Sequence, residues 1–230
     1  SVGAQPIRTD RLSWGFQLAV SQQRNDVMEL GTGVEPFYVE TTPFSSGGVR
    51  VAAGYPLFGR WTKPILGYAD ANENGVLEKE EVLLGDTAVF VGGTLPNYTA
   101  NLSTTVSLLR GAVSVSAGFL YEDGMTQRNE VARDLALFSR GWNDSTASID
   151  EQAATISAGT EYNWIQTVST LRFNTLSVTY NLPSRAAQRV GARALSLSLQ
   201  GTNLGLRTNY RGLDPNVNSR ATGNGERRPA

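Results

Sequence analysis

YTANLSTTVSLLRGAVSVSAGFLY, from Tyr98 to Tyr121, alternates large apolar with small polar side chains through two runs joined by a tight turn. Tyr98, Ala100, Leu102, Val106 and Leu108 share one parity, and Thr99, Asn101, Ser103, Thr105 and Ser107 share the other. Past Arg110-Gly111 the alternation resumes, with Val113, Val115, Ala117, Phe119 and Tyr121 against Ser114, Ser116 and Gly118. Successive side chains of a strand point to opposite faces, so a period of two reads as a hairpin with one greasy and one wettable face.

The same pattern recurs outward in both directions. Leu12, Trp14, Phe16, Leu18 and Val20 alternate with Ser13, Gly15, Gln17, Ala19 and Ser21. Further on come Leu176, Val178, Tyr180 and Leu182, then Leu195, Leu197 and Leu199 against Ser196, Ser198 and Gln200. A less regular pair of extended segments is expected over residues 49–66. Helical periodicity is weak, and its best stretch runs from Asn129 to Phe138, with Val131, Leu135 and Phe138 on one side. The connections at Arg110-Gly111 and residues 183–192 are short. Those near 67–96, 122–166 and 205–230 are long and polar. Short turns alternating with long loops, on strands of about 9–13 residues, describe a membrane barrel.

Composition narrows the alternatives. The chain has 230 residues, 18% of them charged, and no Cys or His. Disulfides and thiol chemistry are therefore excluded, and the commonest general base and transition-metal ligand are missing. A formal charge of −1 gives nucleic acid no electrostatic footprint. Mean hydropathy is −0.24, and no apolar run reaches the ~18–20 residues of a membrane helix. A β-barrel hides its apolarity by alternation and passes this filter. The competing reading is a soluble, secreted all-β module that binds calcium and carbohydrate or serves adhesion. Against it, the polar face is uniformly Ser, Thr, Gly, Gln and Asn, which suits a water-filled lumen better than a sandwich. Trp14, Phe16, Tyr98, Tyr121 and Tyr180 lie near strand ends, positions that serve interfacial girdles and sandwich cores alike.

The sharpest local motif is Asp70-Ala71-Asn72-Glu73-Asn74-Gly75-Val76-Leu77-Glu78-Lys79-Glu80-Glu81. It fits a twelve-residue calcium loop, with Asp70, Asn72, Asn74, the Val76 carbonyl, Glu78 and Glu81 as ligands and Gly75 at the sharp turn. No helix is evident before Asp70, so a lone loop is expected, and a solvated Asx-rich turn explains much of the same composition. No catalytic constellation emerges. A paired-carboxylate hydrolase could draw, for example, on Glu122 and Asp123, although adjacent carboxylates on a loop are far more often solvated charges. Arg185, Arg189 and Arg193, spaced by four, could line a short helical turn at a membrane edge or simply face water. Trp142, Tyr162 and Trp164, with Tyr121 and Phe138, sit among polar residues in the second long loop, where aromatic rings suit sugar or peptide contact. The first and last residues lack the marks of natural ends, and an internal piece of a longer polypeptide is expected.

Taken together, several stretches resemble SusC/RagA-type TonB-dependent outer-membrane transporters. Arg172 to Pro183 is similar to that family's L-R-x-K-N-L-T-L-G-Y-x-L-P strand, and Ala194 to Leu204 to its V-S-G-Q-N-L strand. Asn209 to Asn218 resembles Y-x-G-x-D-P-E, and Tyr68 to Glu81 resembles D-x-N-G-D-G-x-I. Gly54 to Leu57, Asn25 to Gly31 and Gly92 to Tyr98 match further turns in the family's order. Asn74 departs from the usual Asp, and Gly93-Thr94-Leu95-Pro96 from the usual Asn-Pro. The resemblance implies a C-terminal sector, residues 1–230, of a 22-stranded antiparallel transmembrane β-barrel, stopping before the final strand. It implies no enzyme activity, a place in the bacterial outer membrane, and import of oligosaccharides or oligopeptides. A SusD-like surface lipoprotein and the TonB–ExbB–ExbD system would be the partners, and the long loops would face outside.

Overall fold

A computed structural model describes residues 1–41, 47–134, 146–156 and 160–218. In chain order its strands are β1 (Val2–Arg8), β2 (Leu12–Gln22), β3 (Phe37–Thr41), β4 (Gly48–Val51), β5 (Gly59–Thr62), β6 (Ile65–Tyr68), β7 (Val82–Leu84), β8 (Val89–Gly93), β9 (Tyr98–Leu108), β10 (Val113–Arg128), β11 (Ile165–Asn181) and β12 (Ser196–Thr208). Four short helices are described, α1 (Glu130–Asp134), α2 (Ile149–Ile156), α3 (Ser184–Arg189) and α4 (Pro215–Asn218). The chain divides into two compact units. One comprises residues 1–23, 97–123 and 169–209, the other 24–96, 124–168 and 210–230.

The first unit is built on a six-stranded sheet in the order β1-β2-β9-β10-β11-β12. β1–β2, β2–β9, β9–β10 and β11–β12 pair antiparallel. The register lines the greasy residues up across strands. Leu18 lies opposite Leu102, and Leu102 opposite Phe119; Trp14 lies opposite Val106, and Val106 opposite Val115. Val178 faces Leu199 and Tyr180 faces Leu197. Small polar groups line up on the other face, where Thr105 and Ser116 hydroxyls meet at 3.0 Å and those of Thr179 and Ser198 at 3.1 Å.

No second layer covers the greasy face. Among the described residues of this unit, the only buried ones are Thr170, Arg172 and Ala187. Leu197 is 63% exposed and Leu199 77%. A soluble sandwich would bury these side chains against a facing sheet. Thr104 is the one aliphatic hydroxyl amid the greasy parity of β9, and its polarity is fully used. It accepts a hydrogen bond from the Trp14 indole at 2.8 Å and donates to the Gly15 carbonyl at 3.1 Å. A polar group facing hydrocarbon must be satisfied in this internal way.

Gly118 lets β11 come close on the polar face, where a Cβ would stand 2.6 Å from the Thr175 hydroxyl. The β9–β10 turn places Leu109 and Arg110 at φ 53° and 59°, the left-handed pair that a tight hairpin requires. β1 lies outside the strands expected from sequence. Its VGAQPIR alternates poorly, and Pro6 sits in a register shift between Ala4 and Ile7, which an edge strand tolerates.

The second unit has cores of its own. A small sheet runs in the order β3-β4-β5-β8, and β6 pairs with β7. Leu77 packs with Ala153, Val82 and Ile149, while Met125, Val168 and Tyr210 form another cluster. The structure corrects several expected boundaries here. The extended segments at 49–66 are β4, β5 and part of β6, set in this unit rather than in the six-stranded sheet. The long connection after β2 therefore begins at residue 23, not near 67. β10 continues through Arg128, β11 begins at Ile165 and β12 reaches Thr208, so strand occupies residues expected as loop. The alternation of greasy and small side chains stops near Glu122, but backbone pairing does not depend on it. α1 takes up the first part of the expected helix, and Leu135 to Phe138 lie outside the described residues.

The two faces should differ in tolerance to charge. Leu197→Arg is expected to cost about 2–4 kcal/mol if the side chain sits near the bilayer midplane. It should impair assembly of the full protein, read as heat-modifiable migration on gels, whereas Ser198→Arg on the opposite face should assemble nearly normally. Equal behaviour of the two would contradict the assigned faces.

Candidate functional site

The acidic loop follows β6 directly and curls around the Asp70 carboxylate. Asp70 accepts the backbone N–H groups of Asn74 at 3.1 Å and Gly75 at 2.8 Å. The Asn72 side chain accepts the Asn74 N–H at 3.0 Å, and the Asn74 side chain accepts that of Val76 at 2.7 Å. These are Asx-turn contacts, made within the loop itself. Gly75 takes φ 79°, which its lack of a side chain allows. The Glu81 carboxylate closes the far end, accepting Ala71 N–H at 2.8 Å and Glu78 N–H at 2.9 Å. Glu78 receives the Asn72 side-chain amide at 3.3 Å. The six residues expected as calcium ligands are thus brought into one loop. Among the described residues, however, no three carboxylates converge closely enough to form a metal-holding group by themselves.

A helix the sequence reading passed over anchors this loop. Leu77 is fully buried against Ala153 of α2. The Gln152 side chain accepts the Leu77 N–H at 2.8 Å and donates to the carbonyls of Gly75 and Ala147, both at 3.1 Å. The Tyr68 hydroxyl donates to Asp150. That hydrogen bond, then desolvation and the Asp150 charge, raise the Tyr68 phenol above its ordinary value. A raised value means the bonded phenol contributes fully below the ordinary tyrosine range, and the contribution fades as pH climbs through the raised value. The signal for α2 was present in Ser148-Ile149-Asp150-Glu151, a capping box, and the Ser148 hydroxyl does accept the Glu151 N–H at 3.3 Å.

The small sheet carries an aromatic cluster that no local motif announces. Tyr55 meets Trp61 edge-on with centroids 4.6 Å apart, and Phe90 lies 5.2 Å from Tyr55 and 5.8 Å from Trp61. The Arg50 guanidinium stands over both Tyr38 and Trp61, 5.6 and 5.2 Å from their ring centroids. Its Nε and the Trp61 Nε1 are buried and meet no acceptor among the described residues. Such a stacked cation, flanked by exposed Tyr38 and Tyr55, can meet a flat or anionic ligand. These residues come from β3, β4, β5, β8 and the β4–β5 link, and only the fold unites them.

Of the aromatic residues expected to touch substrate, Tyr162 is exposed and Trp164 half-buried, both in a single 3-10 turn. Trp142 lies outside the described residues. That turn is pinned by a buried ion pair. Arg128, at the end of β10, bridges Glu161 and Glu130, and Arg128 and Glu161 are both buried. Thr62 accepts the Glu161 N–H at 3.1 Å, and the Tyr210 hydroxyl donates to the Arg128 carbonyl at 3.0 Å. Glu122 and Asp123 are successive residues of β10, so their side chains leave opposite faces and do not converge as an acid–base pair.

No family model matches the chain. A curated TonB-dependent receptor of Formosa agariphila is 26% identical to it, with the match covering 94% of this chain and 25% of the relative. Among solved structures, the RagAB peptide transporter superposes with a TM-score of 0.64 at 16% identity, over 93% of this chain and 26% of that one. The RagAB peptide importer in its "closed-closed" state gives 0.65 at 17% identity, over 93% and 26%. Its "open-open" state gives 0.66 at 18%, over 93% and 25%. The chain thus spans about a quarter of each relative's length.

Leu77 should hold the acidic loop in place. Truncating a buried leucine to alanine typically costs about 2–5 kcal/mol, and Leu77→Ala is expected to speed proteolysis and hydrogen exchange across residues 70–81 before any change at Tyr98 to Tyr121. Uniform loosening of both regions would contradict local anchoring.

Proposed function

Taking this chain as a barrel portion of SusC/RagA-like, TonB-dependent type in the outer membrane, we propose that the whole protein imports oligosaccharides or oligopeptides. The observation that carries the reading is the uncovered greasy face of the six-stranded sheet, backed by a face of small polar groups. Hydrocarbon solvates the first and a wet lumen or plug the second. In this reading Ser103, Ser107, Ser114, Ser116 and Gln200 line the lumen or meet a plug. A SusD-like lipoprotein delivers substrate on the outer side. TonB–ExbB–ExbD supplies the energy through a part of the protein outside this chain. No bond in the substrate is made or broken.

The second unit would supply contacts at the entrance. Arg50 over Tyr38 and Trp61 offers a flat cationic surface, and Tyr162 and Trp164 add rings that suit a sugar face or a peptide side chain. The acidic loop is rich in hard oxygen donors, which suits calcium over softer metals. Asp70, Asn72, Asn74, the Val76 carbonyl, Glu78 and Glu81 would hold it. A soluble calcium-binding module would share this loop but would need a cover for Leu197 and Leu199.

Whole-cell uptake of labelled oligosaccharide and oligopeptide pools tests the transport reading. Uptake of one class is expected to stop when the proton gradient is collapsed or TonB is removed, and Arg50→Ala is expected to slow it. Uptake indifferent to TonB, or absent for both pools, would overturn the reading. For calcium, calorimetry of the detergent-solubilised full protein should show a binding heat that Asp70→Ala abolishes; no heat in the parent would remove the ion from the account.

A further inference from the structure

Three connections gather at one end of the six-stranded sheet, β1–β2, β9–β10 and β11–β12. They touch one another. Leu109 N–H donates to the Arg11 carbonyl at 2.8 Å, Asn181 N–H to the Ala112 carbonyl at 2.8 Å, and the Asn181 side chain to the Gly111 carbonyl at 3.1 Å. Together they bring Arg8, Arg11, Arg110, Arg185, Arg189 and Arg193 to one rim, with Asp10 the only acid among them. All six arginines are exposed, and none pairs with a carboxylate among the described residues.

The third connection is shaped to present its cations. α3 is fixed by Ala187, which is fully buried, and is ended by Gly191 at φ 74°. Arg185 and Arg189 lie two residues either side of Ala187, about 200° around the helix, so they leave the side opposite the packed one. Two apolar tips stand beside them, Leu109 at 67% exposure and Val190 at 68%. Just inside the rim begins the uncovered greasy wall, with Leu108 and Leu195 each 37% exposed. A basic edge joined to an apolar wall is complementary to an amphiphile with an anionic head and an acyl tail.

We propose that this rim is a binding site for anionic phospholipid in the membrane leaflet next to the short turns. The guanidinium groups hold the phosphate through paired N–H donors, and the acyl chains lie along Leu108, Leu195 and Leu197. A free phosphate would use the arginines but not the wall, and a soluble acidic partner would leave the wall bare. The phospholipid uses both. The inference rests on the membrane placement of the sheet and is independent of the cargo.

The test uses the full protein in nanodiscs of phosphatidylcholine with phosphatidylglycerol, counting retained lipids by native mass spectrometry. At equal mole fractions, the parent is expected to retain phosphatidylglycerol over phosphatidylcholine by roughly threefold or more, an excess that salt weakens. R185Q/R189Q/R193Q and R11Q/R110Q should each reduce that excess, with heat-modifiable migration unchanged. The control R24Q, away from the rim, should keep it. No preference in the parent, a preference indifferent to salt, or equal retention in parent and both rim variants would overturn the proposal. So would glycerol phosphate displacing the lipid at equal concentration, since the wall would then contribute nothing. If the variants fail to assemble, the salt and glycerol phosphate arms on the parent decide alone.

Discussion

A sheet with one greasy and one wet face requires two different solvents, and this requirement organises the first unit. Apolar surface left in water costs about 25 cal/mol per Å², and the described greasy side chains of this unit meet strand neighbours such as Phe119 and Phe173 but are not buried by a facing layer. Backbone groups of the sheet interior are satisfied between strands, as a layer in hydrocarbon demands. Thr104 carries the same rule to side chains, because its hydroxyl and the Trp14 indole satisfy each other on the greasy side. The outer strands of the sheet, β1 and β12, carry pairing groups on their far edges, and a barrel abolishes such edges by closure.

The second unit obeys ordinary globular chemistry. Its stability comes from small buried clusters and from charge pairing, with Leu77 seated on α2 and Arg128 held between Glu161 and Glu130. Breaking a buried pair on one side typically costs about 3–5 kcal/mol, because the remaining charge is left without a partner. Such cores are local, so loops of this unit can be fixed individually. This suits surfaces that must present Arg50, Tyr162 or the acidic loop in a set geometry.

Legibility in the sequence followed the physics of each unit. The sheet was readable because solvation by two media writes itself into strict alternation, and β2, β9, β10, β11 and β12 all contain the stretches that alternate. β1 escaped because the register shift at Pro6 breaks its period: Val2, Ala4 and Ile7 lie opposite Leu18, Phe16 and Trp14, but they do not alternate in sequence. The small sheet β3-β4-β5-β8 was only half visible, since strands of four or five residues are too short to show a period. The acidic loop was legible from Asp70, Gly75 and Glu81, which need only neighbours in sequence. Its anchor on Gln152, and the stacking of Arg50 on Tyr38 and Trp61, join residues far apart along the chain, and no local pattern encodes them. The ion pair of Arg128 and Glu161 was hidden for the same reason.

The assignment of faces can be measured site by site, because this chain has no native cysteine to interfere. Single cysteines would be placed in a cysteine-free version of the full protein, in bilayers, along Leu176 to Tyr180 and Ser196 to Gln200, and spin-labelled. The account predicts accessibility that alternates residue by residue. Oxygen dissolved in lipid should reach Leu176, Val178, Tyr180, Leu197 and Leu199, and a water-soluble nickel chelate should favour Ser177, Thr179, Ser196, Ser198 and Gln200. Labels at Val178, Leu197 and Leu199 shielded from both reagents, as in the interior of a packed sandwich, would contradict it.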